Sequence, residues 1–436
     1  MKTKQGFEVV AAGTGINLAL GVLYTWSIFK GAIKQSIEKG GPEAFKWDMA
    51  SLNDPYAVCC LVFALVMILA GKCQDVFGPM KTAIAGGILV GAGFIWSSQT
   101  TDYTSWVLGF GVLAGSGIAF GYSSATPAAL KWFPPNRTGK VTGIVVAGFG
   151  LASVYIAPLS QYLLTNWGVQ KAMLFYGLAF PVVVGVLALF LVNPPAGFVP
   201  EGFIDRRTSD EQGVKERTKF HIENVSPAGM IRAPIFWWLW LLFFIGAGAG
   251  LMVIGSIAGM AKTSMGSLAF IAVAILAVGN AGGRIIAGMM SDRIGRKKTL
   301  LIMFAFQTIL MFVAVPATTK GASNSLLIVL LASFIGFNYG ANLSIFPSYV
   351  KDLWGMKNFG VNYGILFSAW GIGGLVLSKV SQNLIASTGD YRSSFMVAGT
   401  LLLFGTLFSF VMRDRKEEKR IELRKKQMQI SAEKLA

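Results

Sequence analysis

The chain has 436 residues, of which 54% are hydrophobic and 14% charged, where an ordinary soluble domain carries about 25% charged residues, so a water-soluble globular protein is excluded. Its 38 Lys and Arg against 21 Asp and Glu give a formal charge of +17, an excess that must be located before it is read as a nucleic-acid footprint. His221, the sole histidine, lies in a polar stretch, and Cys59, Cys60 and Cys73 sit in or beside one apolar run, so no metal cluster, Ser/His/Asp set or disulfide framework can be read and no cofactor, metal or enzymatic activity is expected.

Apolar runs of membrane length, broken by Gly, Pro and charge, predict helices near 7–30, 55–73, 81–98, 105–131, 139–163, 168–192, 235–260, 266–290, 299–316, 324–346, 359–385 and 391–411. The first run follows Lys2 and Lys4 but outlasts a signal-peptide core, and it reads as a retained span. Six runs precede and six follow a polar segment, so the expected organisation is a six-helix bundle over 1–192, a cytoplasmic linker over 193–234, a second bundle over 235–411 and a basic tail over 412–436. The loop over 31–53, with Phe45 and Trp47, reads as an interfacial loop anchored by Trp47, with capping of the outer mouth as the alternative.

Twenty-eight Lys and Arg fall on the side shared by the N-terminus, the linker and the tail, eight on the other side, and Arg284 and Lys379 within spans. The bias predicts cytoplasmic termini, with the basic loops and tail resting on anionic lipid headgroups. The charge excess is thereby assigned to topology, and nucleic acid is not an expected partner.

Two turns repeat. Gly71-Lys-Cys-Gln-Asp75-Val-Phe-Gly78-Pro-Met-Lys81 follows the second run, and Gly288-Met-Met-Ser-Asp292-Arg293-Ile-Gly295-Arg296-Lys297-Lys298 follows the eighth, with an offset of 217 at each matched position. In each, Gly permits close helix approach and a tight bend, and Asp can accept from a helix N-terminus or an arginine. Asp75, Asp292 and Arg293 are therefore candidate gating residues. The second turn resembles the signature loop G-x-x-x-D-R-x-G-R-R/K-R/K of major facilitator superfamily transporters; the first departs from it at Val76 and Pro79. The resemblance spans 7–411 and implies an all-α membrane protein of twelve helices in two pseudo-symmetric six-helix bundles around a central cavity, with access alternating between the two sides.

Arg284 lies eight residues before Asp292, about 12 Å of helix rise into the bilayer. An unpaired cation at such depth costs about 2.5 to 3.5 kcal/mol on insertion scales, and no Asp or Glu falls in a span interior. The missing counter-ion then reads as an anionic substrate, which the guanidinium holds in bidentate fashion if it is a carboxylate; pairing with backbone carbonyls or snorkelling to the inner face are the alternatives. Asn280, one turn earlier on the same face, can donate to the anion or orient the arginine. Tyr24 and Trp26 on the first helix, Tyr122 on the fourth, Asn338, Tyr339 and Asn342 on the tenth and Asn362 on the eleventh are further candidates to line the cavity. Lys379 reads either as an outer-gate residue or as a snorkelling lysine.

Gly21-Val-Leu-Tyr24-Thr-Trp26-Ser27, Lys131-Trp132-Phe133-Pro134, Pro234-Ile-Phe236-Trp237, Phe346-Pro347-Ser348 and Asn362-Tyr363-Gly364, taken in order, resemble the oxalate/formate antiporter family and the related monocarboxylate transporters. The resemblance implies a substrate-binding arginine at Arg284. Oxalate-exchanging members carry a lysine where this chain runs Phe367-Ser-Ala-Trp370, and eukaryotic monocarboxylate transporters carry an Asp where this chain has Asn280. Two cations suit a dianion and one suits a monoanion. The expectation is a monomeric secondary transporter of a cell membrane, the inner membrane of a bacterium, moving lactate, pyruvate, acetate or formate together with a proton. Oxalate/formate-type exchange or an anion channel are the alternatives.

Overall fold

The computed structural model describes residues 2–200, 224–265, 269–317 and 325–412. Among these residues all regular structure is helical, and eleven helices are long and apolar enough to cross a membrane. One of them, Pro135–Ala188, has 54 residues; unbroken, it would run about 81 Å, far beyond a hydrocarbon core of about 30 Å. It is broken at Gly168, whose φ of 77° and ψ of 175° lie outside the helical region. The break falls at the predicted boundary and yields a fifth span ending before it and a sixth beginning after it, which makes twelve spans.

The remaining spans follow the sequence reading, several with longer ends. The first runs as Lys2–Leu20, a tight 3-10 turn at Gly21–Thr25, then Trp26–Lys39. The next three are Asp54–Phe77, Pro79–Ser98 and Tyr103–Leu130, the last with a π-helical stretch at Val107–Ala114. In the second half they are Pro234–Met265, Ala269–Ile294, Arg296–Ala317, Ser325–Trp354, Phe359–Thr388 and Arg392–Val411. The tenth span exceeds its prediction by two turns because Lys351 is buried, its Nζ donating to the Leu130 carbonyl of the fourth span at 3.4 Å. Hydropathy alone ends a helix at such a charge. Trp47 is not an interfacial anchor: it is buried against Phe45, Tyr103 and Trp106, with its Nε1 donating to the Thr101 carbonyl at 2.8 Å.

The two repeated turns occupy one end of the bundle. Gly78 and Gly295, again 217 apart, have φ of 86° and 96°, a region that favours glycine, and each turn is followed at once by the next helix. Asp75 accepts from the backbone N–H groups of Gly360 and Val361 at 3.1 and 3.2 Å, and Asp292 from those of Gly139 and Lys140 at 2.8 Å each. Each carboxylate thus caps the N-terminus of a helix in the opposite half, where the helix dipole favours negative charge. Beside the caps, backbones touch. A Cβ at Gly71 would collide with the Gly360 carbonyl, and one at Gly288 with the Gly139 carbonyl. Close approach of this kind is how helices associate where lipid removes the hydrophobic drive between them.

The two caps differ in their support. Arg296 donates to Asp292 at 2.7 Å, to Asp352 at 2.9 Å and to Ser291, whereas its counterpart 217 residues earlier is Pro79, which only opens the third helix. The arginine that pairs with Asp292 is therefore Arg296, while Arg293, the candidate read from the signature loop, is exposed. Position i+4 shares the face of Asp292, while i+1 is rotated about 100° around the helix. Asp292→Ala takes a partner from a buried guanidinium and should cost about 3 kcal/mol, against about half that for Asp75→Ala, which loses two hydrogen bonds. Thermal melting of the two purified variants checks this, and equal losses would contradict it.

The end of the linker is fastened to the same end of the molecule. Asn224 Oδ1 accepts from Met356 and Lys357 N–H, and the Val225 carbonyl accepts from Asn358 and Asn362 Nδ2 at 3.2 Å each. Residues 201–223 of the linker and the tail from 413 onward lie outside the described residues.

Candidate functional site

Arg284 is fully buried at the crossing of the fifth and eighth helices. The crossing is close because Gly143 and Gly150 face the arginine: a Cβ at Gly143 would collide with the Arg284 carbonyl, and one at Gly150 would sit 3.3 Å from both Arg284 Nε and Asn280 Oδ1. Nε donates to Asn280 Oδ1 at 2.9 Å and one terminal nitrogen donates to the Val146 carbonyl. The other terminal nitrogen is buried with no hydrogen-bond partner. Among the described residues the arginine makes no ion pair. Carbonyl pairing, one of the alternatives read from sequence, thus accounts for part of the guanidinium, and Asn280 orients it. What remains is a buried cation with an open donor, a costly arrangement unless an anion completes it.

Tyrosines from four helices surround the guanidinium closely enough to feel its charge: Tyr24, Tyr122, Tyr339 and Tyr363. The Tyr24 and Tyr339 hydroxyls are 2.9 Å apart, joining the first and tenth helices, and Trp370 Nε1 donates to the Tyr339 hydroxyl at 2.8 Å. The Tyr122 and Tyr363 hydroxyls are buried without a hydrogen-bond partner. Around them the rings of Phe63, Phe149, Phe367 and Trp370 form a continuous apolar wall, with Phe63 centroids 5.1 to 6.0 Å from Phe367, Trp370, Tyr122 and Phe149. A dry wall of this kind strengthens a single charge pair inside it and admits few other polar groups.

Of the residues singled out in the sequence, Arg284, Asn280, Tyr24, Tyr122 and Tyr339 are brought together. Asn338 is buried but turns its amide to its own helix, donating to the Phe334 carbonyl at 2.9 Å, and Asn342 donates likewise to the Asn338 carbonyl. Asn362 binds the linker at the turn end, and Trp26 stacks on Phe110 within the first half. Lys379 is exposed on the surface of its helix, which places it outside the site as a side chain able to snorkel. Tyr363 and the aromatic wall were not identified as site residues. For Phe63 a signal existed, since it lies 217 residues before Asn280.

The Major Facilitator Superfamily model matches residues 15–276 and 247–434. The chain is 24% identical to the oxalate:formate antiporter of Oxalobacter formigenes, covering 93% of this chain and 91% of that protein. It is 26% identical to monocarboxylate transporter 13 of Bos taurus, covering 76% and 72%. Its fold matches the crystal structure of the transporter FucP in the outward conformation with a TM-score of 0.66 at 14% identity, covering 93% of this chain and 99% of FucP. With twelve spans, paired signature turns and a family match along nearly its whole length, the chain belongs to the Major Facilitator Superfamily and is a multi-pass membrane transporter, not an enzyme.

Proposed function

We propose that the protein carries small monocarboxylates such as lactate, pyruvate, acetate or formate across a bacterial inner membrane by alternating access, with a proton, as a monomer whose turn end faces the cytoplasm. The observation that carries this reading is Arg284, buried, held by Asn280 and Val146, and left with one free donor and, among the described residues, no acid beside it. A carboxylate completes the guanidinium, and Tyr122 and Tyr339 stand where they can share its oxygens. Neutralising the pair lowers the cost of enclosing it within the aromatic wall, which favours the passage from one closed end to the other. The capped and glycine-packed turn end supports a state closed toward the cytoplasm.

Oxalate/formate-type exchange is the second reading, favoured by the kinship to the oxalate:formate antiporter. Against it stands the wall of Phe367 and Trp370, apolar where a second cation would be needed for a dianion. Thermal stabilisation of the purified full chain by a panel of mono- and dicarboxylates at two pH values tests both. A monocarboxylate at 100 times its Kd should stabilise by about 2.7 kcal/mol, and more strongly at lower pH if a proton accompanies it. Preferential stabilisation by oxalate would favour exchange, and stabilisation by no carboxylate would overturn the anion site.

A further inference from the structure

Two helix crossings between the halves are copies of one another. At the first, Gly139 meets Gly288, Gly143 meets the Arg284 carbonyl and Gly150 meets Ala281. At the second, Gly360 meets Gly71, Gly364 meets the Met67 carbonyl and Gly371 meets Ala64. The fifth-helix and eleventh-helix glycines are each 221 residues apart, and their partners on the second and eighth helices each 217 apart. Three contacts in register define the correspondence. It makes Met67 the counterpart of Arg284 and Phe63 the counterpart of Asn280.

The second half therefore presents a cation and its orienting amide, while the first half presents a thioether and a phenyl ring at equivalent positions. Met67 is fully buried and Phe63 nearly so. Phe63, one turn before Met67 on the same face, packs on the rings of Tyr122, Phe367 and Trp370, the walls of the arginine site. A ligand bound between the halves meets charge on one side and apolar surface on the other.

Building on the reading of Arg284 as the carboxylate site, we propose that Met67, backed by Phe63, forms the apolar half of that site and sets its specificity. It receives the short hydrocarbon end of a monocarboxylate and denies a second carboxylate the cation it would need. Methionine suits the role because its flexible, polarizable chain fills the irregular space left by short tails. Desolvating a second anion there without a partner is costly, so dicarboxylates are rejected by the same position that welcomes a methyl group.

The test uses the full chain in detergent, with acetate, butyrate and malonate as probes in thermal-shift titrations. Met67→Ala opens room for roughly two methylenes, so the butyrate-to-acetate affinity ratio should rise about tenfold; the milder Met67→Val should raise it less. Met67→Lys should make malonate a ligand and weaken acetate. A Met67→Ala or Met67→Val protein that binds acetate with the wild-type ratio overturns the proposal, even if the lysine variant fails to fold. A wild-type chain stabilised by no carboxylate overturns instead the reading of Arg284 on which the proposal rests.

Discussion

Arg284→Gln should abolish carboxylate uptake and ligand-induced stabilisation while leaving the empty protein folded. Glutamine keeps a polar group at the level of Nε but has neither the charge nor the terminal fork of donors. Removing one partner of a buried, hydrogen-bonded charge pair costs about 3 to 5 kcal/mol, roughly 10²- to 10⁴-fold in affinity. The empty protein responds differently, since the desolvation relieved by deleting an incompletely satisfied cation offsets the hydrogen bonds lost to Asn280 and Val146. Its melting temperature should stay close to that of wild type. Uptake into proteoliposomes and melting with and without acetate make the comparison. Normal transport by the variant would sink the anion-site assignment, and a large fall in the empty protein's melting temperature would recast the arginine as structural.

Gly288→Val should stop transport by a different route. Its Cβ has no room beside the Gly139 carbonyl, so the fifth and eighth helices must separate where Asp292 caps the fifth. Overpacking of close-packed interiors costs about 1 to 3 kcal/mol, and on the proposed alternating access it falls on the state in which this end is closed. A shift of that size changes the balance of states by roughly 5- to 150-fold. The expected result is at least a tenfold loss of uptake together with faster thiol labelling of a cysteine placed at the turn end as Thr138→Cys, a position fully buried while this end is packed. Gly71→Val should act in the same way at the other crossing. Unchanged labelling in both variants would show that the glycine contacts do not hold this end shut.

Much of the site was legible one residue at a time. Arg284 stood out because a cation deep in an apolar run without an acid is expensive in any fold, and Asn280 followed from helical spacing. The turn acids were found by their repeat, and their geometry as helix caps matches the chemistry read from Asp between two glycines. Where other side chains lie depends on contacts between helices. Arg293 fits the signature loop, yet the face of Asp292 belongs to Arg296. Asn338 is polar and buried but finds its partner on its own helix. Lys379 lies within an apolar run and still faces outward. Tyr363 resembles any interfacial tyrosine until the eleventh helix brings it beside Arg284.

The sequence by itself determined the number of spans, the charge bias between the two ends, the duplication and the presence of Arg284 deep in an apolar run, because the bilayer acts as a solvent on each segment separately and hydropathy is a local quantity. The tertiary structure alone decided which residues share the space around that cation. Helices in an apolar medium associate through close backbone contact at small residues, which carries no hydropathy signal. Only the register of those contacts reveals that a duplicated frame has been made chemically one-sided, with Arg284 on one side and Met67 on the other.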